Sequence, residues 1–307
     1  MLVEDKLRAQ AEDYHSELGS AIDHLLSSGG KRVRPAVALL MGGLLGAHQD
    51  RIVTLASAIE LLHTATLVHD DLIDGALLRR GNATLNAQWT PAATVLTGDF
   101  VFACAAKLAA ETDSVTVMHL FAETLAIIVN GEITQLFSSQ GLVSRDNYYK
   151  RIYAKTASMF ELATGAAALL SPVDDRAVET ARSFGYEIGM AFQIMDDILD
   201  FTGEQTTIGK PVGSDLRQGL ITLPALYYIE ENPEDPDLIL LLDRNRYKAG
   251  SMERLIESIR GSEAIRMAHA EAEKYVDRGL SILAELPSGP ESQSLEELSN
   301  YIVNRPL

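Results

Sequence analysis

The 307 residues contain one cysteine, Cys104, so no disulfide can form within the chain and a disulfide scaffold is excluded. A lone thiol fits a reducing compartment. Cations are scarce as well: 26 Lys plus Arg stand against 43 Asp plus Glu, a net charge of −17. The mean field of such a chain repels phosphate backbones and anionic lipid, which argues against nucleic acid as a partner. An anionic ligand has to be met by a local group of cations or by metal ions. Long apolar runs are missing too. The longest, Pro35 to Ala47, is interrupted by Gly42, Gly43 and Gly46 and falls short of the roughly 20 residues of a bilayer span. No transmembrane segment is expected, and the opening MLVEDKLRAQ lacks the basic-then-apolar order of a signal peptide. A cytoplasmic protein is the expectation. Alternating β-branched runs are nearly absent, which leaves little material for strands.

What is present is helical material. At 47% hydrophobic and 22% charged residues the chain has ample core, and disordered classes are out. From Arg51 to Asp74 apolar residues recur at three- and four-residue spacing, the period of an amphipathic helix. No proline occurs between Ala92 and Ser171, a stretch rich in Ala, Leu, Met and Glu, so several long helices fit there. Turn chemistry places breaks at Ser27–Gly30, Gly75–Pro91, Ser171–Pro172, Thr202–Gly219, Glu231–Asp237 and Leu286–Ser292. Each joins helices and none reads as an interdomain linker. The spacing therefore predicts an all-α chain with one domain over 1–307.

Two acidic clusters stand out. In His69-Asp70-Asp71-Leu72-Ile73-Asp74 the first and last aspartates are four apart, one above the other on a helix. His63 lies two turns earlier on nearly the same stripe. The second cluster, Asp196-Asp197-Ile198-Leu199-Asp200, repeats the spacing after Phe192-Gln193. Stacked carboxylates repel, at a cost of a few tenths of a kcal/mol when exposed and more when buried. Hard divalent cations relieve that repulsion, and Mg²⁺ characteristically binds one or two carboxylates together with substrate phosphates. A single DDxxD is most often a solvated helix end, but two copies after apolar helix favour a ligand.

Cations lie beside the acids. Lys31, Arg32 and Arg34 open a helix at Gly29-Gly30, Arg79-Arg80 follow the first cluster, and Lys155-Thr156 lies mid-chain. Lys210 follows the second cluster. Helix N-termini favour anions and arginine forks match phosphate oxygens; Arg32 points away from its neighbours and is the expected bystander. Carboxylates for metal, cations for phosphates and apolar helix faces together suit an amphiphile with a diphosphate head and a hydrocarbon tail.

With these motifs in order the chain resembles the trans-isoprenyl diphosphate synthases (the polyprenyl synthetase family) over nearly its whole length. The matching segments are GGKRVRP at 29–35, ELLHTATLVHDDLID at 60–74, RRG at 79–81 and GDF at 98–100. KTA at 155–157, FQIMDDILD at 192–200, GK at 209–210 and SDLRQGLITLP at 214–224 complete them. The resemblance implies the isoprenoid synthase type I fold, a single large helical bundle around a central cavity, usually as a homodimer. It implies acidic motifs that face each other and bind three Mg²⁺, with Asp70, Asp71, Asp74, Asp196, Asp197 and Asp200 as metal-side acids. Lys31, Arg34, His63 and Arg80 fall on positions that bind isopentenyl diphosphate. Arg79, Lys155, Thr156, Gln193 and Lys210 fall on the allylic diphosphate side, and Asp70, Asp74, Asp196, Lys155 and Gln193 carry the catalysis. One departure is Leu220, where the family often has Lys.

The implied reaction ionises an allylic diphosphate, adds isopentenyl diphosphate to the cation and releases a proton, with no protein nucleophile. In the family, bulky aromatics before the first acidic motif floor the product tunnel. Here those positions are Ala65 and Thr66, with Leu62 a turn below, and a product longer than farnesyl diphosphate is expected. Phe100, Phe102 and Cys104 would close the tunnel further down. A class I terpene cyclase or head-to-head synthase is the nearest rival, but it has no need of Lys31, Arg34 and Arg80. A metal phosphohydrolase built on His63, His69 and Asp70 leaves the second acidic motif idle. A non-catalytic subunit of a heteromeric synthase has no reason to keep both sets of repelling acids.

Overall fold

The computed structural model describes residues 2–27, 29–79, 81–137, 144–203, 212–242 and 250–305. The chain is all-α, as the periodicity requires. Its helices are α1 (Leu2–Arg8), α2 (Ser16–Ser27), α3 (Val33–Leu45), α4 (Gln49–Ile73), α5 (Leu85–Gln88), α6 (Pro91–Ala110) and α7 (Val115–Phe137). There follow α8 (Arg145–Ile152), a π-helical turn at Tyr153–Ala157, α9 (Ser158–Leu169) and α10 (Asp175–Thr202). The last are α11 (Ser214–Arg217), α12 (Leu223–Glu231), α13 (Pro236–Leu242), α14 (Ser251–Arg260), α15 (Ala264–Leu283) and α16 (Pro290–Val303). Where the sequence predicts a plain loop after Asp74, the chain forms a small antiparallel ribbon, β1 (Leu78–Arg79) with β2 (Asn82–Ala83), and the single turn α5. Two-residue strands carry no alternation for a periodicity argument to detect.

The chain divides into two compact units. The first comprises residues 1–125, 159–185 and 282–296, and α4 is its centre, packed chiefly on α6 and α3. Leu55, Ile59, Leu62 and Ala65 of α4 are fully or almost fully buried, as are Val101, Ala105 and Leu108 of α6. Each such Leu, Ile or Val side chain contributes on the order of 1.5–3 kcal/mol by leaving water. Small residues set the spacing. A Cβ on Gly98 would come 2.2 Å from His69 Nε2, so the His69 ring rests on α6 in the space that Gly98 leaves open. Thr90 caps α6, its hydroxyl accepting from the Ala93 N–H at 3.3 Å, with Pro91 in the first turn.

The second unit comprises 126–158, 186–281 and 297–307. The later turns of α10 bury Ile188, Ala191, Ile194, Met195, Ile198 and Phe201. That three-and-four spacing leaves Gln193, Asp196 and Asp200 half-buried along the margin of the face. The chain returns from the end of α10 through Gly213, whose φ is +66° and where a Cβ would lie 2.6 Å from Ile256. Only glycine meets both conditions.

By length and hydropathy, α4, α6 and α7 are long and apolar enough to cross a membrane, with 78%, 44% and 17% of their most apolar windows buried inside the protein. None is an uninterrupted apolar run, since each carries a few polar residues. For α4 the hydropathy is that of a core helix.

Candidate active site

In the first unit α4 ends at the acidic motif. The Asp74 N–H donates to the Asp70 carbonyl at 2.8 Å and the Ala76 N–H to the Asp71 carbonyl at 2.8 Å, so Asp70 and Asp74 do sit one turn apart. Asp70 is half-buried and Asp74 exposed. Asp71 is turned inward, buried, and held by Arg79: Nε lies 2.9 and 3.0 Å from its two oxygens and Nη2 2.8 Å from Oδ1. The β1–β2 ribbon carries Arg79 back over the helix end to make this pair. His69 lies on Gly98, with Nε2 3.3 Å from the Val95 carbonyl and 3.6 Å from Asp99 Oδ1, and its ring 5.4 Å from Phe102.

At the start of α3, Arg34 Nη1 donates to His63 Nε2 at 3.2 Å, which places the His63 ring proton on Nδ1. The Arg34 guanidinium also lies 5.2 Å from the Phe160 ring centroid. Arg34 and His63, 29 residues apart in the chain, are thus brought together, while Lys31 is exposed nearby in sequence. Arg32 is left-handed at φ +47° and its guanidinium serves Glu60 and the Leu26 carbonyl. It has a structural post. Arg80 lies outside the described residues.

In the second unit the three acids of the second motif have three different environments. Asp196, 41% exposed, is paired with Arg305 Nη1 at 2.8 Å, and the Arg305 guanidinium stacks 4.2 Å from the Phe192 ring. Asp200 takes the Ser214 and Asp215 N–H groups at 3.2 and 3.1 Å, which fastens the return loop. Asp197 is buried, accepting from the Tyr148 hydroxyl and from Gln193 Nε2, each at 2.8 Å. Gln193 Oε1 in turn accepts from Thr156 at 2.6 Å. Lys155, beside Thr156 on the π-helical turn, has Nζ 3.3 Å from Glu132. Lys210 lies outside the described residues. Tyr148 and Arg305 were missed in the sequence reading, since neither stands in a motif and helical spacing does not reveal partners 49 and 109 residues away.

Burial, reinforced by the Asp215 charge, pushes the Asp197 carboxyl up to about 7, against opposing hydrogen bonds from Gln193 and Tyr148. Unfolded aspartate titrates near about 3.9. Between those values the metal-free folded chain keeps a proton that the unfolded chain has lost, so stability falls as pH rises from about 4 to 7. The full window is worth on the order of 4 kcal/mol. Asp197→Asn should flatten this slope in urea unfolding at pH 5 and pH 7.5; an unchanged slope would contradict the assignment. The same carboxylate, after burial itself, holds the Tyr148 phenol well above its ordinary range, so its proton stays in place.

Among the described residues no three His, Cys, Asp or Glu side chains form a ready-made metal cage. The donor set nevertheless suits a hard divalent ion completed by phosphate oxygens, the usual mode for Mg²⁺. Leu62 and Ala65 are fully buried on α4, and Thr66 is half-buried with its hydroxyl on the His63 carbonyl at 2.8 Å. Phe100 packs edge-on against Tyr14 at 4.9 Å, and Cys104 reaches the Gln10 carbonyl at 3.9 Å.

Aspartate ladders on helices, set among arginine, lysine and amide groups, define a class: all-α enzymes that handle diphosphates. Comparison narrows the class. The Polyprenyl synthetase family model matches residues 15–259. Component 2 of the heptaprenyl diphosphate synthase of Geobacillus stearothermophilus is 36% identical over 304 residues, 99% of this chain and 94% of that protein. The octaprenyl diphosphate synthase of Escherichia coli K12 is 33% identical over 92% of this chain and 88% of its own length. A polyprenyl synthase of Caulobacter crescentus CB15, solved with calcium and isoprenyl diphosphate, superposes with a TM-score of 0.93 at 36% identity, covering 99% of this chain and 93% of that one. The chain belongs to the polyprenyl synthetase family and is a prenyltransferase of isoprenoid biosynthesis.

Proposed function

We propose that this chain condenses isopentenyl diphosphate with an allylic diphosphate, head to tail (1′–4), and repeats the step to an all-trans polyprenyl diphosphate longer than 15 carbons. The observation that carries this reading is the second set of phosphate-binding groups. Arg34 is joined to the imidazole of His63 at the start of α3, and a cyclase, with one diphosphate to hold, has no use for a second cationic group. Lys31, Arg34, His63 and Arg80 take isopentenyl diphosphate. Arg79, Lys155, Thr156, Gln193 and Lys210 serve the allylic substrate.

Asp70 and Asp74 of the first unit and Asp196 and Asp200 of the second would hold Mg²⁺, three ions in all, together with substrate phosphate oxygens. When bound, the metal neutralises charge building on the departing diphosphate. Arg79 and Arg305, now on Asp71 and Asp196, already hold positive charge beside those acids. Lys155 adds a cation and Thr156 an oxygen dipole, preorganised groups of the kind that stabilise developing charge most effectively. The buried aliphatic face of α4 keeps water from the allylic cation, which water would trap. The proton lost in each addition leaves to the released diphosphate.

A homodimer is part of the proposal. Val95 and Leu96 of α6 and Val129, Ile133, Leu136 and Phe137 of α7 are exposed, Phe137 by 84%, and large apolar side chains left in water mark partner surfaces. Sedimentation of the purified chain tests it, and a monomer would refute it. Product analysis tests the reaction: with Mg²⁺, labelled isopentenyl diphosphate and a short allylic primer, chains longer than farnesyl are expected. Farnesyl diphosphate alone would refute the length, and no elongation from any primer would refute the function.

A further inference from the structure

Tyr148 belongs to no motif, yet its side chain is fully buried and its hydroxyl is spent on a buried acid. Burying a phenol and a carboxylate together is costly unless each is satisfied, and the second unit satisfies them through a chain with one direction. Tyr148 donates to Asp197 Oδ2, and Gln193 Nε2 donates to Asp197 Oδ1. The Gln193 amide thus turns its nitrogen to Asp197 and its oxygen to Thr156. Thr156 then has to donate, as it does at 2.6 Å. A hydroxyl has one proton and two lone pairs. With the proton committed to Gln193, Thr156 presents only lone pairs to anything else that approaches.

We propose that Tyr148 is a positioning residue for the prenyl transfer, and that Asp197 serves this chain rather than the metal, so that Thr156 meets developing positive charge with its oxygen. The inference rests on the reaction assigned above. Without the Tyr148 hydroxyl the Asp197 carboxyl loses the contact that fixes its rotation, and the Gln193 amide and Thr156 hydroxyl are no longer held in one orientation. A Thr156 hydroxyl that is not held can turn its proton toward the cation, reversing the sign of the dipole. The placement agrees with this role. Thr156 stands on the π-helical turn, a backbone feature that recurs at functional sites. Asp197 is buried against Tyr148 and Gln193, whereas Asp196, 41% exposed, and half-buried Asp200 are nearer to solvent.

The test separates positioning from metal binding. Tyr148→Phe keeps the ring and removes the hydroxyl. It should lower kcat about tenfold or more, the scale of one misplaced polar group, while KM for isopentenyl diphosphate stays within about twofold. Calorimetric affinity for inorganic pyrophosphate in Mg²⁺ should also hold within about twofold, since no metal ligand is lost. Asp197→Asn should do the same, and it carries the test if Tyr148→Phe does not fold. Thr156→Val should lower kcat likewise and Thr156→Ser, which keeps the hydroxyl, should restore most of it. Wild-type kcat in Tyr148→Phe, or a pyrophosphate affinity that falls in step with kcat in Asp197→Asn, overturns the proposal. A wild-type protein that elongates no primer overturns the underlying reaction instead, so the two failures are distinguishable.

Discussion

Asp70→Ala is expected to lower kcat at least a hundredfold while leaving the protein folded, the loss that follows when one preorganised electrostatic group is removed from a reacting diphosphate. Asp70 is half-buried at the end of α4, stacked one turn from Asp74. Removing it also relieves a like-charge repulsion of a few tenths of a kcal/mol, and the protein is expected to remain folded. Asp71, its neighbour, should behave in the opposite way. Its side chain is 11% exposed and bound to Arg79 through three contacts of 2.8 to 3.0 Å. Truncating one partner of a largely buried pair strands the other, at a cost of up to about 3–5 kcal/mol. Activity at saturating Mg²⁺ and thermal unfolding, measured on both variants, therefore divide the motif into a functional acid and a structural one. Near-normal turnover in Asp70→Ala would dismantle the metal assignment.

That division marks the limit of what the sequence reveals. Helical period and turn residues locate the long helices within a few residues, and the helix predicted from Arg51 to Asp74 is α4, Gln49–Ile73. Spacing also identifies which acids share a helix face. It does not tell what a side chain meets from a distant segment. The three acids of the second motif look alike in DDILD, yet one is paired with Arg305, one is buried on Tyr148 and Gln193, and one fastens a loop. Asp197 differs from Asp196 by one position on α10, about 100° around the helix, enough to move it from the margin to the buried face. The π-helical turn under Lys155 and Thr156 was illegible for a related reason: Ala-Lys-Thr-Ala has ordinary helix formers, and its geometry is set by packing. There Gly131 passes so close that a Cβ on it would lie 2.6 Å from Ala154 Cβ.

Ala65→Phe is the second large effect expected, and it falls on the product rather than the rate. Ala65 and Leu62 are both fully buried on α4, one turn apart, below the acidic motif. Burial alone has two meanings. If Ala65 only fills a gap in the α4 packing, a phenyl ring there overpacks the core, costing about 1–3 kcal/mol, and the product is unchanged. If Ala65 lines the shaft into which the growing chain descends, the ring fills space that the chain would otherwise occupy. Growth then stops earlier by one or more five-carbon units, and stability falls less because the ring enters room already present. The second outcome is expected, because the reaction proposed here needs an apolar channel directly below Asp70, and Ala65 lies on α4 five residues before it. Chromatography of the prenyl products beside thermal unfolding decides between them: shorter chains with a small change in melting temperature support the channel, and unchanged chains with a marked drop place Ala65 in ordinary core.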